Sequence, residues 1–243
     1  MAPASSLSWC GLSPNTYGAF SCQEEKEFLT GKAFFSVYRF AVDPFAFLSL
    51  GNGVACIASE IPERIPIVNV PTLILPGIGN SDHAHWQTLW ESANSEFVRV
   101  QQRDWKNPVC DEWVDALEQT IAKTGRSPVL VAHSLGCLCV AHWAACTTLK
   151  IKGALLVAPP DPEEAGFPSE AIGFSPVPLR SFGFPSTVVA SSNDPYGSLG
   201  FARSCALAWG SHFVNIGPAG HINSESGLGN WSEGLALYQE LTA

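Results

Sequence analysis

The chain has 243 residues, 46% of them hydrophobic, and a formal net charge of -9. This length suits one large α/β domain, or one domain with an appendage, and the apolar content is enough for a sizeable core. The negative charge and the lack of any Lys/Arg cluster exclude nucleic acid and an anionic membrane surface as expected partners. The most apolar run, residues 44–59, is too short and too rich in Pro, Gly and Asn to span a bilayer.

The cysteines indicate a reducing compartment. The eight cysteines form no C-x-x-C pair and show no metal-ligand spacing. In a chain of this length they are typical of reduced core thiols. Because the N-terminus also lacks the basic and apolar regions of a secretory signal, we expect a cytoplasmic protein without a metal site.

Residues 1–66 differ from the rest of the sequence. They are rich in Ser, Gly, Pro and Phe and contain no long periodic segment, although 34–42 and 54–59 are candidate strands. We therefore interpret 1–66 as an N-terminal extension of uncertain structure, and 67–243 as the main domain.

From Val70 onward, short apolar runs alternate with amphipathic segments. This alternation predicts an α/β domain in which a parallel sheet is covered by helices on both faces. The ends of its strands then meet at one edge, where a ligand crevice forms. The predicted strands are 71–76, 97–101, 128–133, 153–158, 186–191 and 212–216, and the predicted helices are 82–94, 111–123, 135–147, 198–209 and 228–241.

The most informative stretch follows the third of these strands, where the sequence reads Ala132-His133-Ser134-Leu135-Gly136. A buried strand, a small residue, a serine and a glycine in this spacing are typical of the nucleophile elbow of serine hydrolases. The chain turns sharply there, so bulky side chains two residues either side of the serine would collide. We predict that Ser134 is a nucleophile.

A nucleophilic serine needs a base, and in this arrangement the histidine comes after the serine and the acid. His142 lies on the predicted helix after the elbow, and His212 begins a strand. His221 follows the last strand, in a loop at the expected catalytic edge. We therefore predict that His221 is the base.

Two aspartates could orient that histidine. Asp194 follows the strand 186–191 and Asp161 follows the strand 153–158, and hydrolases use both positions. Asp194 is the preferred acid because it lies one strand before the histidine loop, whereas Asp161 and its acidic neighbours are typical of a solvated loop.

The oxyanion hole should come from two backbone N–H groups. Leu135 directly follows the nucleophile, and Ile78 lies in the loop Gly77-Ile78-Gly79-Asn80 after the first regular strand. This Gly-x-Gly is not a dinucleotide fingerprint, because Asp82 stands where the third glycine would be. The candidate substrate-binding residues are Gly77, Asn80, Trp86 and His133, although core packing is an equal alternative for Trp86 and a structural role is preferred for His133.

These motifs together resemble a known family. In chain order they are Pro76 to Ser81, His85-Trp86-Gln87, Asp104-Trp105, the elbow, Asn193 to Tyr196, and Gly220-His221-Ile222-Asn223. From about Val70 to Ala243 the chain is similar to the YdeN-like, retinoblastoma-binding-protein-nine-like serine hydrolases. The resemblance implies an α/β-hydrolase fold with six strands in the order 2-1-3-4-5-6, a minimal cap, and the triad Ser134, Asp194 and His221.

The predicted function is a carboxylesterase that cleaves small, uncharged acyl esters through an acyl-enzyme. The chemistry needs no cofactor and no metal, and the expected partner is a small-molecule ester. A serine peptidase or amidase with the same triad is the first alternative. A non-catalytic binding module on a hydrolase scaffold is the second.

Overall fold

The structure is a computed structural model that describes residues 70–243 in full and, before them, the backbone of four strands. The chain divides into two compact units, Met1–Ile67 and Val68–Ala243. In the first unit, antiparallel strands pair in sequence order to form a four-stranded sheet. These strands are β1 (Gln23–Thr30), β2 (Ala33–Arg39), β3 (Ala46–Leu50) and β4 (Gly53–Ile57).

The candidate strands 34–42 and 54–59 overlap β2 and β4, and their outer ends lie outside the described residues. The prediction missed β1 and β3. In β1 the run Glu24-Glu25-Lys26-Glu27 hides the strand, because charged residues in succession give no apolar alternation.

The second unit contains a six-stranded sheet in which every neighbouring pair is parallel. Its strand order is β6-β5-β7-β8-β9-β10. Counted within this unit the order is 2-1-3-4-5-6, so the predicted topology is confirmed. The strands are β5 (Thr72–Leu75), β6 (Phe97–Arg99), β7 (Val129–His133), β8 (Gly153–Val157), β9 (Ser186–Ala190) and β10 (His212–Asn215).

Five helices connect and follow these strands. Two begin four residues later than predicted. The first starts at Trp86 because Asp82 Oδ1 accepts from Ala84 N–H in a preceding turn and His85 caps the helix. The last starts at Ser232 because Trp231 has a left-handed φ of 39°. The helices are α1 (Trp86–Ala93), α2 (Cys110–Thr124), α3 (Leu135–Cys146), α4 (Leu199–Trp209) and α5 (Ser232–Thr242).

Each strand sends alternate side chains into two separate cores, as the period of two requires. On one face, Leu73, Leu130 and Leu156 pack with α2, α3 and α4. On the other face, Ile74, Val131 and Leu155 pack with the aromatic side chains of α1 and α5. Helix α3 is buried around most of its circumference, so the nucleophile loop that precedes it has a rigid support.

Residues 159–185, all of which the structure describes, form no helix or strand of their own. This segment is held by Phe174, whose side chain is fully buried in the α2–α4 core. The prediction of a minimal cap is therefore confirmed. Within the described part of the chain, no helix is long and apolar enough to cross a membrane.

Candidate active site

Ser134 occupies the sharp turn between β7 and α3. Its backbone has φ 54° and ψ −126°, which is uncommon for a residue with a side chain. A Cβ on Gly136 would lie 2.5 Å from the Leu75 carbonyl oxygen, and one on Gly77 would lie 2.7 Å from Ser134 Cβ. Both positions therefore require glycine, and Gly136 is one of the two small residues on which the elbow was predicted.

The three residues predicted as a triad lie in hydrogen-bonding contact. His221 Nε2 is 2.8 Å from Ser134 Oγ. The opposite ring nitrogen, Nδ1, is 2.9 Å from each carboxylate oxygen of Asp194. The Asp194 side chain is only 2% exposed, and its Oδ1 also accepts from Tyr196 N–H. The carboxylate is thereby fixed against the imidazole, which orients Nε2 toward the serine.

The alternative acid and bases have other partners. Asp161 Oδ1 accepts from Glu163 N–H, and the backbone N–H of Asp161 donates to the Tyr196 carbonyl. His142 Nε2 donates to the Phe174 carbonyl at 3.2 Å, and His212 is exposed on the edge strand β10. None of these three side chains lines the cavity described below.

The loop after β5 brings Ile78 to the wall of the cavity that Ser134 also lines, and a set of hydrogen bonds fixes the shape of this loop. Gly79 N–H donates to the Trp105 carbonyl at 2.7 Å. Asn80 Oδ1 accepts from Arg99 Nη1 at 2.7 Å. Leu135 is the first residue of α3, and the first N–H groups of a helix have no partner inside the helix. Both predicted oxyanion donors therefore belong to residues that line the cavity with Ser134.

Gln87 supports the site, although the motif His85-Trp86-Gln87 predicted no role for it. Its fully buried amide Nε2 donates to two strand carbonyls, Leu75 O at 3.2 Å and Val131 O at 3.0 Å. Its Oε1 accepts from Ser81 Oγ at 2.7 Å. One side chain thus joins the ends of β5 and β7, the strands that lead into the Ile78 loop and into Ser134. A polar residue on the buried face of a predicted helix was the available signal.

Two further side chains donate hydrogen bonds to backbone carbonyls of the loop that carries His221. Trp86 Nε1 donates to the Ile222 carbonyl at 2.8 Å, and His133 Nε2 donates to the His221 carbonyl at 2.9 Å. Trp86 is 1% exposed and packs in the aromatic core instead of lining the cavity, so the packing alternative describes it. His133 combines its structural hydrogen bond with a place in the cavity wall.

Burial keeps the histidines around His221 neutral. Burial lowers the pKa of His85 to about 4. Burial, and then the proximity of His221 and His85, hold the pKa of His133 well below its usual value. His85 and His133 therefore place no positive charge beside His221 at neutral pH. Among the thiols, burial raises the pKa of Cys110 and Cys205 to about 12, so they are protonated.

The residues described by the structure contain no cluster of three or more His, Cys, Asp or Glu side chains that could hold a metal ion. The five cysteines among them are all free thiols. Cys137 and Cys139 are fully buried in the core, as predicted for small core residues.

A cavity of about 290 Å³ opens above Ser134 and His221. Its lining includes two groups of residues from different parts of the chain. One group is mostly apolar and consists of Ile78, Leu135, Pro160, Phe167, Pro168 and Tyr196. The other is polar and consists of Asn80, Asp82, His85, Asn223, Ser224 and Glu225.

Comparisons with known proteins show which family the chain belongs to. The model of a family described as "Serine hydrolase" matches residues 72–240. A search of curated proteins finds no match. Among solved structures, a YdeN-like hydrolase from Pectobacterium atrosepticum is 33% identical with a TM-score of 0.63, over 71% of this chain and 90% of that one.

Two more distant structures show the fold alone. The YdeN gene product of B. subtilis is 16% identical with a TM-score of 0.58, over 70% of this chain and 97% of that one. A monoacylglycerol lipase from Paleococcus ferrophilus is 14% identical with a TM-score of 0.53, over 70% and 93%. From the family match and the identity to the Pectobacterium protein, the chain belongs to the YdeN-like serine hydrolases of the α/β-hydrolase fold.

Proposed function

We propose that this serine hydrolase is a carboxylesterase for small acyl esters, with Ser134 as nucleophile, His221 as base and Asp194 as the orienting acid. The observation that carries the proposal is the pair of contacts on the His221 ring, 2.8 Å to Ser134 Oγ and 2.9 Å to Asp194. In the neutral ring, Nδ1–H donates to the carboxylate and Nε2 accepts the serine proton.

Acylation uses these contacts directly. Ser134 Oγ attacks the ester carbonyl carbon while its proton passes to His221 Nε2. The tetrahedral intermediate carries a negative oxygen, which the N–H groups of Ile78 and Leu135 stabilise. The intermediate then expels the alcohol, which takes the proton from His221, and the acyl group stays on Ser134.

Deacylation repeats the sequence with water. His221 removes a proton from a water molecule, the hydroxide attacks the acyl carbon, and Ser134 leaves with the proton returned by His221. Every step uses side chains, backbone N–H groups and water. The cavity volume of about 290 Å³ suits a short acyl chain better than a long lipid chain.

A serine peptidase or amidase is the second candidate, and one observation favours it. Asp82 and Glu225 line the cavity and could bind the α-amine of a peptide N-terminus. Hydrogen bonds from Ser224 and Ala84 lower the pKa of Asp82, so this carboxylate is charged at neutral pH. The ester proposal is preferred because Asp82 and Glu225 are both exposed, and exposed carboxylate–ammonium pairs contribute little binding energy.

The test is a direct comparison of substrates on the full chain. We expect turnover of p-nitrophenyl acetate and butyrate, little turnover of aminoacyl arylamides, and labelling of Ser134 by a fluorophosphonate probe. Faster cleavage of the arylamides would replace the esterase with the peptidase. A chain that neither hydrolyses nor becomes labelled would be a binding module on the hydrolase scaffold.

A further inference from the structure

His85 presents an unusual buried donor at the wall of the catalytic cavity. The side chain caps helix α1, where its Nδ1 accepts from Gln87 N–H at 3.2 Å. The residue is only 4% exposed. Its other ring nitrogen, Nε2, is buried and has no hydrogen-bond partner among the described residues.

The capping bond determines which nitrogen carries the proton. Since Nδ1 accepts a hydrogen bond, the proton of the neutral ring must be on Nε2. Burial lowers the pKa of His85 to about 4, so the ring is neutral at physiological pH. His85 therefore offers one N–H donor that no group in residues 70–243 accepts. Such groups are rare in folded proteins because leaving a buried donor unpaired destabilises the fold.

The position of this donor connects it with the reaction. His85 lines the cavity together with Ser134 and His221. Its ring centroid lies 4.7 Å from that of His133, which in turn lies 4.9 Å from that of His221. The ring that carries this donor thus belongs to a residue of the wall that a bound substrate contacts.

The residues beside His85 in the cavity wall limit which kind of substrate group can accept a hydrogen bond from its Nε2–H. Asp82, in the same turn, is a carboxylate, and its Oδ1 accepts from Ser224 Oγ at 2.7 Å. A substrate carboxylate would be repelled by Asp82, and an ammonium group cannot accept from His85. Among neutral groups, a hydroxyl can accept from His85 and also donate to the Asp82 carboxylate, whereas a carbonyl oxygen can only accept.

We propose that His85 Nε2–H binds a substrate hydroxyl, so that the protein prefers hydroxylated esters over their unsubstituted analogues. The inference rests on the esterase function proposed above. His85 acts here as a specificity-determining residue and takes no part in bond making or breaking. The hydroxyl can lie on the alcohol or on the acyl side of the ester.

Three esters of similar size test the inference on the full-length protein: ethyl butyrate, 2-hydroxyethyl butyrate and ethyl 3-hydroxybutyrate. We expect one hydroxylated ester to exceed ethyl butyrate by roughly 5- to 10-fold in kcat/KM, as for one added neutral hydrogen bond. The preferred compound tells which side of the ester carries the hydroxyl. Equal kcat/KM for all three would overturn the inference.

The variant His85→Asn removes the Nε2 donor and keeps an oxygen that can cap α1, since asparagine is among the best N-cap residues. We expect its preference ratio to fall to about 1, mainly through a higher KM for the hydroxylated ester. His83→Asn is the matched control, because His83 is exposed in the same turn and does not line the cavity. This control should keep the wild-type ratio.

The ratio of kcat/KM for the hydroxylated ester to kcat/KM for ethyl butyrate shows whether His85 determines specificity or only positions other residues. If His85→Asn lowers the turnover of all three esters equally and keeps the ratio, His85 is structural and the inference is wrong. Fluorophosphonate labelling of each variant reports whether the site has folded, and the wild-type ratio tests the inference without any variant. If the wild type hydrolyses no ester and takes no label, the esterase proposal fails, and with it this inference.

Discussion

The cores on the two faces of the hydrolase sheet differ in the side chains that fill them. The α2–α4 face is filled by aliphatic side chains, tryptophans and buried thiols such as Cys137 and Cys139. The α1–α5 face contains fewer aliphatic residues but includes Trp86, Trp90 and Trp231, whose rings lie 4.8 to 6.1 Å apart. From this second side, buried polar atoms of α1 reach the catalytic loops.

Hydrogen bonds show what the difference means for the site. Gln87 joins the ends of β5 and β7, and Trp86 holds the carbonyl that follows His221. On the α2–α4 face the comparable tryptophan, Trp209, donates to Pro178 O, which does not line the cavity. The α1–α5 face therefore fixes the ends of β5 and β7 and the His221 loop through side-chain hydrogen bonds, whereas the α2–α4 face supports Ser134 through the packing of α3.

The largest effect should come from removing the nucleophile with both faces intact. Ser134→Ala loses only an oxygen from the strand–helix turn, so its melting temperature should change little. We expect ester turnover to fall on the order of 10⁴-fold or more, and fluorophosphonate labelling to vanish. Labelling that persists in this variant would show that another residue is the nucleophile.

The second-largest loss of activity should come from replacing the acid, Asp194. Asp194→Asn leaves His221 without a carboxylate partner for Nδ1, and we expect a loss of roughly 10⁴-fold in kcat. Asp161→Asn is the matched control at the end of the neighbouring strand and should change kcat less than about threefold, because Asp161 makes only loop hydrogen bonds. A larger loss at Asp161 would transfer the role of the acid to that loop.

A pair of tryptophan variants tests the comparison of the faces itself. Trp86→Phe and Trp209→Phe each remove one indole N–H from a residue that is 1% exposed. Both should lower the free energy of unfolding by about 1–3 kcal/mol. Only Trp86→Phe should also lower kcat, by roughly 10- to 100-fold, because the His221 loop loses a support. Equal kcat values in the two variants would mean that the faces do not differ in this respect.

The two faces should also lose stability at opposite ends of the pH range. The pKa of His85 is lowered to about 4 in the folded chain, whereas the unfolded chain binds that proton below about 6.5. Stability is therefore complete above pH 6.5 and falls as the pH drops toward 4, by roughly 3 kcal/mol from this residue. On the other face, Cys110 and Cys205 ionise near 9 when unfolded but near 12 when folded, so stability falls above pH 9.

Urea unfolding between pH 4 and pH 10 gives the free energy of unfolding as a function of pH, and thus both its acid and its alkaline decrease. His85→Asn should flatten the acid limb and leave the alkaline limb unchanged, since the variant removes one of the buried neutral histidines. An acid limb of unchanged slope would show that His85 is protonated equally in the folded and unfolded chains.

The smallest effect is expected from the N-terminal unit. All six strands of the hydrolase sheet come from the second unit, and the first of them begins at Thr72. We therefore propose that a chain of residues 67–243 keeps the ester turnover and most of the melting temperature of the full chain. An insoluble or inactive truncation would contradict this domain boundary.

The sequence predicted the elements of the second unit closely because apolar runs and amphipathic runs alternate there without ambiguity. Ser134, Asp194 and His221 could be named together because each follows a strand that a parallel sheet directs to the same edge. The roles of Gln87 and Trp86 could not be assigned. Periodicity places Trp86 on an apolar helix face, but its indole N–H reaches Ile222 O, 136 residues further along the chain.

The same limit explains the unexpected role of His85. In the sequence it is one of two histidines in a predicted first helical turn, and nothing local separates it from His83. The helix starts at Trp86 instead of Asp82, and this shift turns His85 from a helical residue into the cap. The direction of its ring, and the burial that lowers its pKa, depend on packing that only the folded chain provides.

The aromatic core around α1 has a consequence for biosynthesis. Trp86 and Trp90 are made early in the hydrolase unit, but Trp231 and Tyr238, which cover them, come from its last residues. A growing chain therefore exposes two large apolar rings until α5 has left the ribosome. Contacts between such distant residues also slow folding. We expect a chain shortened before Trp231 to aggregate during synthesis, although it still contains Ser134, Asp194 and His221.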